Sequence, residues 1–353
     1  MHFSADQTAD QDLTEGRDGE PGSRVLQWTT EAAAGLRLDR FLTDRLRQAG
    51  EVVSRTRVQD WIRLGAVRVN DGLSSASQKL SGRETVEVWP QPLEASTAFS
   101  PEPMDLQFAY LDEQLVVVDK PAGRVVHPAP GHWRGTLMNG LLHWRPELAA
   151  LPRAGIVHRL DRDTSGLLMV GLQHESLMHL QQALAARQTH RVYLALVHGD
   201  ASRFDGITIN KPIGRDPVSR VRMACDGLAA KPATTAVRFL SRASFADAQG
   251  FSLLSCKLDT GRTHQIRVHL ASQGIYLVGD PLYGKSAADR ALAQRDPQFE
   301  ALLLQGQALH ASLLQFPHPV SGKQLSVFSA WKAEVDLPLP MAQTLAALWG
   351  LSL

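Results

Sequence analysis

Asp161 stands in the run Gly155-Ile156-Val157-His158-Arg159-Leu160-Asp161-Arg162-Asp163-Thr164-Ser165-Gly166-Leu167-Leu168, a carboxylate set among arginines between two apolar segments. A carboxylate held in such a place can serve as a nucleophile or as a general base. The same residues fit two structural roles: a turn residue or helix N-cap, or an ion-pair partner of Arg159 or Arg162. The apolar run from Leu167 to Leu172 is too short to span a membrane and reads as a buried strand or the start of a helix. Gly155-Ile156-Val157 reads as the end of a strand. Asp161 is therefore expected on a short connection at the rim of a sheet.

Other chemistry is poorly supported. His127, His158, His264 and His269 are scattered without the spacing of metal ligands, and Cys225 and Cys256 are the only cysteines, so no metal site is expected. His158 and His269 read as packed or hydrogen-bonded structural residues. The 37 Lys and Arg against 36 Asp and Glu leave a net charge of +1, so any affinity for an anionic partner must come from local patches. Two cysteines make no disulfide framework, which suits a reducing cytoplasm. The start of the chain carries Asp6, Asp10, Asp12, Glu15, Asp18 and Glu20 without a basic, then apolar, signal.

Residues 1–24 are acidic and polar with little to bury, and are expected to be disordered. From Leu36 the pattern becomes helical: Leu38, Phe41, Leu42 and Leu46 recur on one face while Arg37, Arg40, Arg45 and Arg47 fall mostly elsewhere. A second helix is expected after Ser54, with Val58, Trp61 and Ile62 on one face and Gly65 as its stop. Ala66 to Val69 reads as a strand, Asn70-Asp71-Gly72 as a tight turn and Thr85 to Trp89 as the returning strand. Eight arginines face five acids between Leu36 and Gly72, an excess too small to decide by charge alone. Pro90, Pro92, Pro101 and Pro103 suggest a semi-rigid linker over residues 91–104. Beyond it, Leu115 to Val118, Arg191 to Val197, Ala236 to Leu240 and Phe251 to Leu258 read as strands, with helices at Thr136 to His143 and Ser176 to Ala186. The mixed order implies an α+β domain over residues 105–335 with a large, mainly antiparallel sheet. Residues 336–353 are expected to form a helical extension.

Two resemblances sharpen this reading. Arg37-Leu38-Asp39-Arg40-Phe41-Leu42, Ser54 to Gly65 and Val67-Arg68-Val69-Asn70 resemble the S4-type RNA-binding module over residues 25–90, which implies binding of structured RNA by shape and backbone. Arg37, Arg40, Arg55, Arg57, Arg63 and Arg68 are its candidate RNA contacts, because a guanidinium pairs phosphate oxygens bidentately. Downstream, Asp119-Lys120-Pro121-Ala122-Gly123, Val126-His127-Pro128, His158-Arg159-Leu160-Asp161, Arg191-Val192-Tyr193 and Gly261-Arg262-Thr263-His264-Gln265-Ile266-Arg267-Val268-His269-Leu270 together resemble the RluA family of pseudouridine synthases. Pro212-Ile213-Gly214-Arg215, Gly279-Asp280-Pro281-Leu282-Tyr283-Gly284 and Leu309-His310-Ala311 look most like its RluD branch. Asp119, Arg124 and Arg191 depart from the residues usual at their positions.

The RluA resemblance implies isomerisation of uridine to pseudouridine in 23S ribosomal RNA or the pre-ribosomal large subunit. Such a reaction needs neither metal nor cofactor, and a cytoplasmic monomer is expected. The family implies Asp161 as the essential carboxylate, acting at the anomeric carbon or as a base at the neighbouring ribose carbon. It implies Arg267 as the cation beside it and Tyr193 as the side chain that stacks on the detached base. Arg159 is the residue expected to fill the gap that a flipped uridine leaves. The same chemistry on another ribosomal or transfer RNA, and an inactive assembly factor, are the alternatives. A factor that had lost catalysis is expected to lack at least one of Asp161, Tyr193 and Arg267.

Overall fold

The computed structural model describes residues 25–31, 33–51, 53–63, 65–90, 98–129, 132–245, 248–331 and 341–351. The tail expected over residues 1–24, the first half of the linker expected over 91–104 and the first residues of the expected C-terminal extension lie outside these. The chain divides into two compact units between Leu93 and Glu94. No described helix is long and apolar enough to cross a membrane.

The first unit contains β1 (Leu26–Thr29), α1 (Leu38–Gln48), α2 (Arg55–Arg63), β2 (Val67–Val69), β3 (Gly72–Leu73) and β4 (Thr85–Val88), the strands ordered β1-β4-β2-β3. Helix α1 buries Leu38, Phe41, Leu42 and Leu46, and α2 buries Val58, Trp61 and Ile62, so the apolar stripes of both helices close on one core. Ser54 Oγ accepts the Arg57 backbone N–H at 3.3 Å, and Gly65 takes a positive φ of 75° beyond the helix end.

Two readings of this unit need correction. Strand β1, which pairs with β4, has no counterpart in the sequence expectations. Nor is β4 the strand that returns directly from the Asn70-Asp71-Gly72 turn. That turn, with Asn70 and Asp71 both at positive φ, leads only into β3, whose two residues are exposed and bury nothing. Strand β4 directs Val86 and Val88 inward and takes the other side of β2, with Val67 opposite Val88 and Val69 opposite Val86.

The second unit is a mixed α+β structure built on a nine-stranded, mainly antiparallel sheet. Its strands are β5 (Phe108–Leu111), β6 (Leu115–Lys120), β7 (Ser165–Gly171), β8 (His190–His198), β9 (Thr208–Asn210), β13 (Thr234–Phe245), β14 (Ala248–Leu258), β15 (Leu309–Pro317) and β16 (Gln324–Phe328). A separate three-stranded sheet holds β10 (Ile213–Arg215), β11 (Met223–Cys225) and β12 (Leu228–Lys231). The large sheet runs β5-β6-β7-β15-β8-β14-β13-β9, with β16 on β15 and one parallel pair, β7 with β15.

This sheet is apolar on both faces. On β8, Tyr193, Ala195 and Val197 join one core while Val192, Leu194 and Leu196 join another, the period of two that a strand imposes. The helices α3 (Leu137–Trp144) and α5 (Gln265–Ser272) pack on the Tyr193 face through Leu141, Leu142, Ile266 and Leu270. Helices α4 (His174–Ala185), α7 (Pro297–Leu304) and α8 (Met341–Trp349) contribute Leu177, Phe299 and Leu345 to cores on the opposite face. The remaining described α-helix of this unit is α6 (Ser286–Ala293).

Candidate active site

The segment that carries Asp161 is pinned at both ends by glycines. Gly155 has φ +79° and a Cβ there would stand 2.1 Å from the Gly171 carbonyl oxygen; Gly166 has φ +102° and would stand 2.3 Å from the Ala311 carbonyl oxygen. Only glycine permits these approaches, which draw the segment against β7 and β15. Between them Ile156 bridges to Val170, the Thr164 N–H donates to the Asp161 carbonyl at 3.2 Å, and Gln307 donates to Thr164 Oγ1 at 2.9 Å. Asp161 thus occupies a turn that leads into β7, at the rim of the sheet.

Lys120, at the end of β6, holds the same turn from below. It is fully buried, and its Nζ donates to the carbonyl oxygens of Pro121, Arg124 and Arg162 at 2.8, 2.9 and 2.9 Å. Burial pushes its pKa down to about 7, with Asp163 and Asp161 opposing that fall and Arg124 adding to it. Lysine reads as an exposed residue, so its role as a brace for the carbonyl beside Asp161 escapes sequence analysis.

Arg267 reaches Asp161 from α5. Its Nη1 donates to Asp161 Oδ2 at 3.0 Å, while Nε and Nη2 donate to Asp280 Oδ2 and Oδ1 at 2.7 and 2.8 Å. Taken alone the residue reads as an arginine on a sheet surface; it lies instead on a helix, and its side chain is 4% exposed. Burial opposes its charge, but Asp280 and Asp161 outweigh this and raise its pKa. Burial likewise pushes the Asp280 carboxyl up, and the Arg267 guanidinium with the N–H groups of Tyr283 and Leu282 more than offsets it, leaving the pKa below the ordinary carboxylate value. Asp280 is the partner that the sequence reading missed.

Tyr283 continues this chain of contacts. Its ring lies 5.1 Å from the guanidinium carbon of Arg267 and 5.1 Å from that of Arg222. Its hydroxyl accepts the Met223 N–H at 2.7 Å, leaving its proton for His264 Nδ1 at 2.9 Å. Burial first, then Arg267 and Arg159, keep His264 below the usual imidazole pKa despite Asp161 and Asp280, which fits an acceptor nitrogen. His269 bridges Thr235 Oγ1 at 2.8 Å and the Lys211 carbonyl at 2.9 Å, a structural link.

Asp161, Tyr193, Arg267 and Arg159 line one cavity of about 1090 Å³. Tyr193 is 5% exposed; burial raises its phenol pKa, Arg191 opposes the rise and Asp161 adds to it. Arg159 is exposed beside the cavity. A carboxylate, a buried cation that fixes one of its oxygens and an aromatic ring therefore share a space large enough for a nucleotide.

The arginines of the first unit divide into groups. Arg37 and Arg55 donate to the buried Asp39 at 2.9–3.2 Å, and Gln59 adds a third donor at 2.7 Å. Burial raises the Asp39 carboxyl, and these donors outweigh it and hold the pKa well below the usual range. Arg57 lies over Trp61 and Arg68 over Trp89, Arg63 pairs with Asp60, and Arg40 is exposed. Arg37 and Arg55 remain partly exposed, so their cationic faces are still open to solvent.

Residues 114–272, which include Asp161, Tyr193 and Arg267, match the family described as RNA pseudouridylate synthase. A protein of Nitrosomonas europaea named Ribosomal large subunit pseudouridine synthase D is 43% identical over 320 residues, covering 90% of this chain and 86% of the relative. The chain belongs to the RNA pseudouridylate synthase family. It is thereby an isomerase that forms pseudouridine in RNA. The protein of the same name from Neisseria meningitidis serogroup A is 45% identical over 295 residues, 83% of this chain and 75% of the relative. Among solved structures, Human RNA Pseudouridylate Synthase Domain Containing 1 is similar with a TM-score of 0.52 and 25% identity, over 70% of this chain and 97% of that one. The pseudouridine synthase family thus accounts for both the sequence motifs and the fold of the second unit.

Proposed function

We propose that this pseudouridine synthase modifies uridines in 23S ribosomal RNA, acting in the cytoplasm, and that Asp161 is its essential carboxylate. The observation that carries the assignment is the ion-pair chain Asp161–Arg267–Asp280, its Arg267 and Asp280 buried, at the wall of the nucleotide-sized cavity. The target class is supported by the name of these relatives, Ribosomal large subunit pseudouridine synthase D.

The uridine leaves its stack and enters the cavity, and Arg159 takes the place it vacates. With Oδ2 held by Arg267, the Asp161 carboxylate is oriented toward the ribose, where it acts as a nucleophile at C1′ or as a base at C2′. The N1–C1′ bond breaks, the base rotates beside Tyr193, and C5 bonds to C1′ as the Asp161–C1′ ester bond breaks or, on the alternative route, as Asp161 returns the proton to C2′. A proton leaves C5 and one is gained at N1, so no atom or electron enters or leaves overall. The reaction as written requires no cofactor.

The first unit, which resembles an S4-type module, supplies affinity for folded RNA through Arg37, Arg40, Arg55, Arg57, Arg63 and Arg68. Removing residues 1–93 is expected to weaken binding of the ribosomal RNA by about tenfold or more at physiological salt, and to flatten the salt dependence of what remains. Filter binding across a salt series measures both; unchanged affinity contradicts the role. The target itself is tested by mapping pseudouridines in ribosomal and transfer RNA from cells with and without the gene. Loss confined to large-subunit positions supports the assignment, and loss confined to transfer RNA refutes it.

A further inference from the structure

Arg191 is a buried cation with no ion-pair partner among the described residues. It is the second residue of β8, and its side chain shares a face with that of Tyr193 two residues on. Its neighbours across the sheet are Leu258 and Leu314, both apolar. Arg191 is 6% exposed, yet its Nε has no hydrogen-bond partner, and no carboxylate forms an ion pair with it among the described residues. Asp259 and Tyr193 act on it only through their fields, and burial lowers its pKa from the ordinary arginine value. His158, the nearby imidazole, is pushed down to about 3, first by burial and then by Arg191 itself, so it remains neutral and adds no competing charge.

The guanidinium also faces the cavity. It lines the cavity that holds Asp161 and Tyr193, and a Cβ on Gly261 would stand 2.6 Å from its Nη1. The guanidinium thus packs directly over the backbone of Gly261 in its present position. Leaving such a cation unpaired costs folding energy, and the cost is recovered if an oxyanion arrives during function.

The isomerisation generates one. When the N1–C1′ bond breaks, its electron pair departs with the base, giving a uracil anion whose charge spreads over N1, C5 and the O2 and O4 oxygens. When C5 attacks C1′ that charge is consumed, and proton transfer from C5 to N1 completes the exchange. We infer that Arg191 is a further catalytic residue, one whose guanidinium donates hydrogen bonds to the detached uracil anion and stabilises it while the base turns beside Tyr193. This rests on the reaction proposed above. A backbone phosphate of the RNA is the other oxyanion that the same cation could take, and it predicts a different outcome.

The test compares full-length wild type, Arg191→Lys and Arg191→Gln in single-turnover reactions on a 23S transcript containing uridine and on the same transcript made with 5-fluorouridine. Fluorine makes the departing base a weaker base, so its anion needs less help; consumption of the parent nucleoside is read in both cases. Arg191→Gln is expected to slow the uridine reaction by about 10²-fold with unchanged RNA affinity, to lose about tenfold less on the fluorinated RNA, and to be partly rescued in Arg191→Lys. Equal losses on the two RNAs, a loss confined to RNA affinity, or undiminished turnover each overturn the assignment. Wild-type turnover in the same assay reports the activity itself, so failure of the proposed reaction and failure of this role are told apart.

Discussion

Asp161→Asn will bind 23S ribosomal RNA and form no pseudouridine, its single-turnover rate falling by more than about 10⁴-fold. The substitution keeps the volume of the side chain and an oxygen for Arg267 to donate to, and removes the negative charge and the nucleophilic or basic oxygen. The fold should survive, because the Arg267 guanidinium keeps its two hydrogen bonds to Asp280, which is fully buried. Asp161→Ala is expected to behave alike. Quench-flow measurement of pseudouridine with the enzyme in excess, beside a binding isotherm, separates chemistry from affinity. Retained turnover within tenfold of wild type would remove Asp161 from the reaction.

Asp280→Ala is expected to damage both stability and activity, although Asp280 need not touch the substrate. It strands the buried Arg267 cation with a single carboxylate partner, and leaves the N–H groups of Leu282 and Tyr283 without their acceptor. Breaking one side of a buried pair costs about 3–5 kcal/mol, and chemical denaturation will read that loss directly. Turnover should fall as well, because Arg267 is then free to swing away from Asp161. Arg267→Met with Asp280→Leu should recover part of the stability and none of the activity, separating the energetic role of the pair from its orienting role.

The same pair sets a pH dependence. The folded Asp280 carboxyl titrates below its ordinary value of 3.8, so its contribution is fully present above that value and is lost as the pH falls through the lower, folded pKa. Wild-type stability should therefore drop steeply in acid, and Asp280→Ala should show a shallower acid limb. Denaturation midpoints measured across the acid range test the sign; an identical acid limb in the two proteins contradicts the linkage.

Much of this arrangement is legible before any coordinates. The alternation of Val192, Leu194 and Leu196 with Tyr193, Ala195 and Val197 announces a strand buried on both faces, and the stripes of α1 and α2 announce the packed helices of the first unit. The RluA resemblance supplies Asp161, Tyr193 and Arg267 as one set, and all three line the same cavity.

What sequence conceals has physical reasons. Gly279-Asp280-Pro281 reads as a turn, and nothing local reveals that its carboxylate meets an arginine thirteen positions earlier. Lys120 is hidden because a lysine satisfied by three backbone carbonyls looks, in one dimension, like any other lysine. Arg267 sits on a helix whose apolar residues are too evenly spread to announce one face, since almost every position of its first turns is buried. The parallel pairing of β7 with β15 joins residues 145 positions apart, from His310 to Ser165, beyond the reach of any local pattern. The place of β4 is hidden because the strand that follows the tight turn, β3, has only two residues and is too short to announce itself.

The central claim, that this chain forms pseudouridine in large-subunit RNA through Asp161, is tested most directly by complementation. Pseudouridines are mapped across 23S ribosomal RNA in cells that lack the gene and carry either the wild-type chain or Asp161→Asn at equal abundance. The account predicts that the positions missing in the deletion return fully with wild type and stay unmodified with Asp161→Asn; their return with Asp161→Asn, or their persistence in the deletion itself, contradicts it.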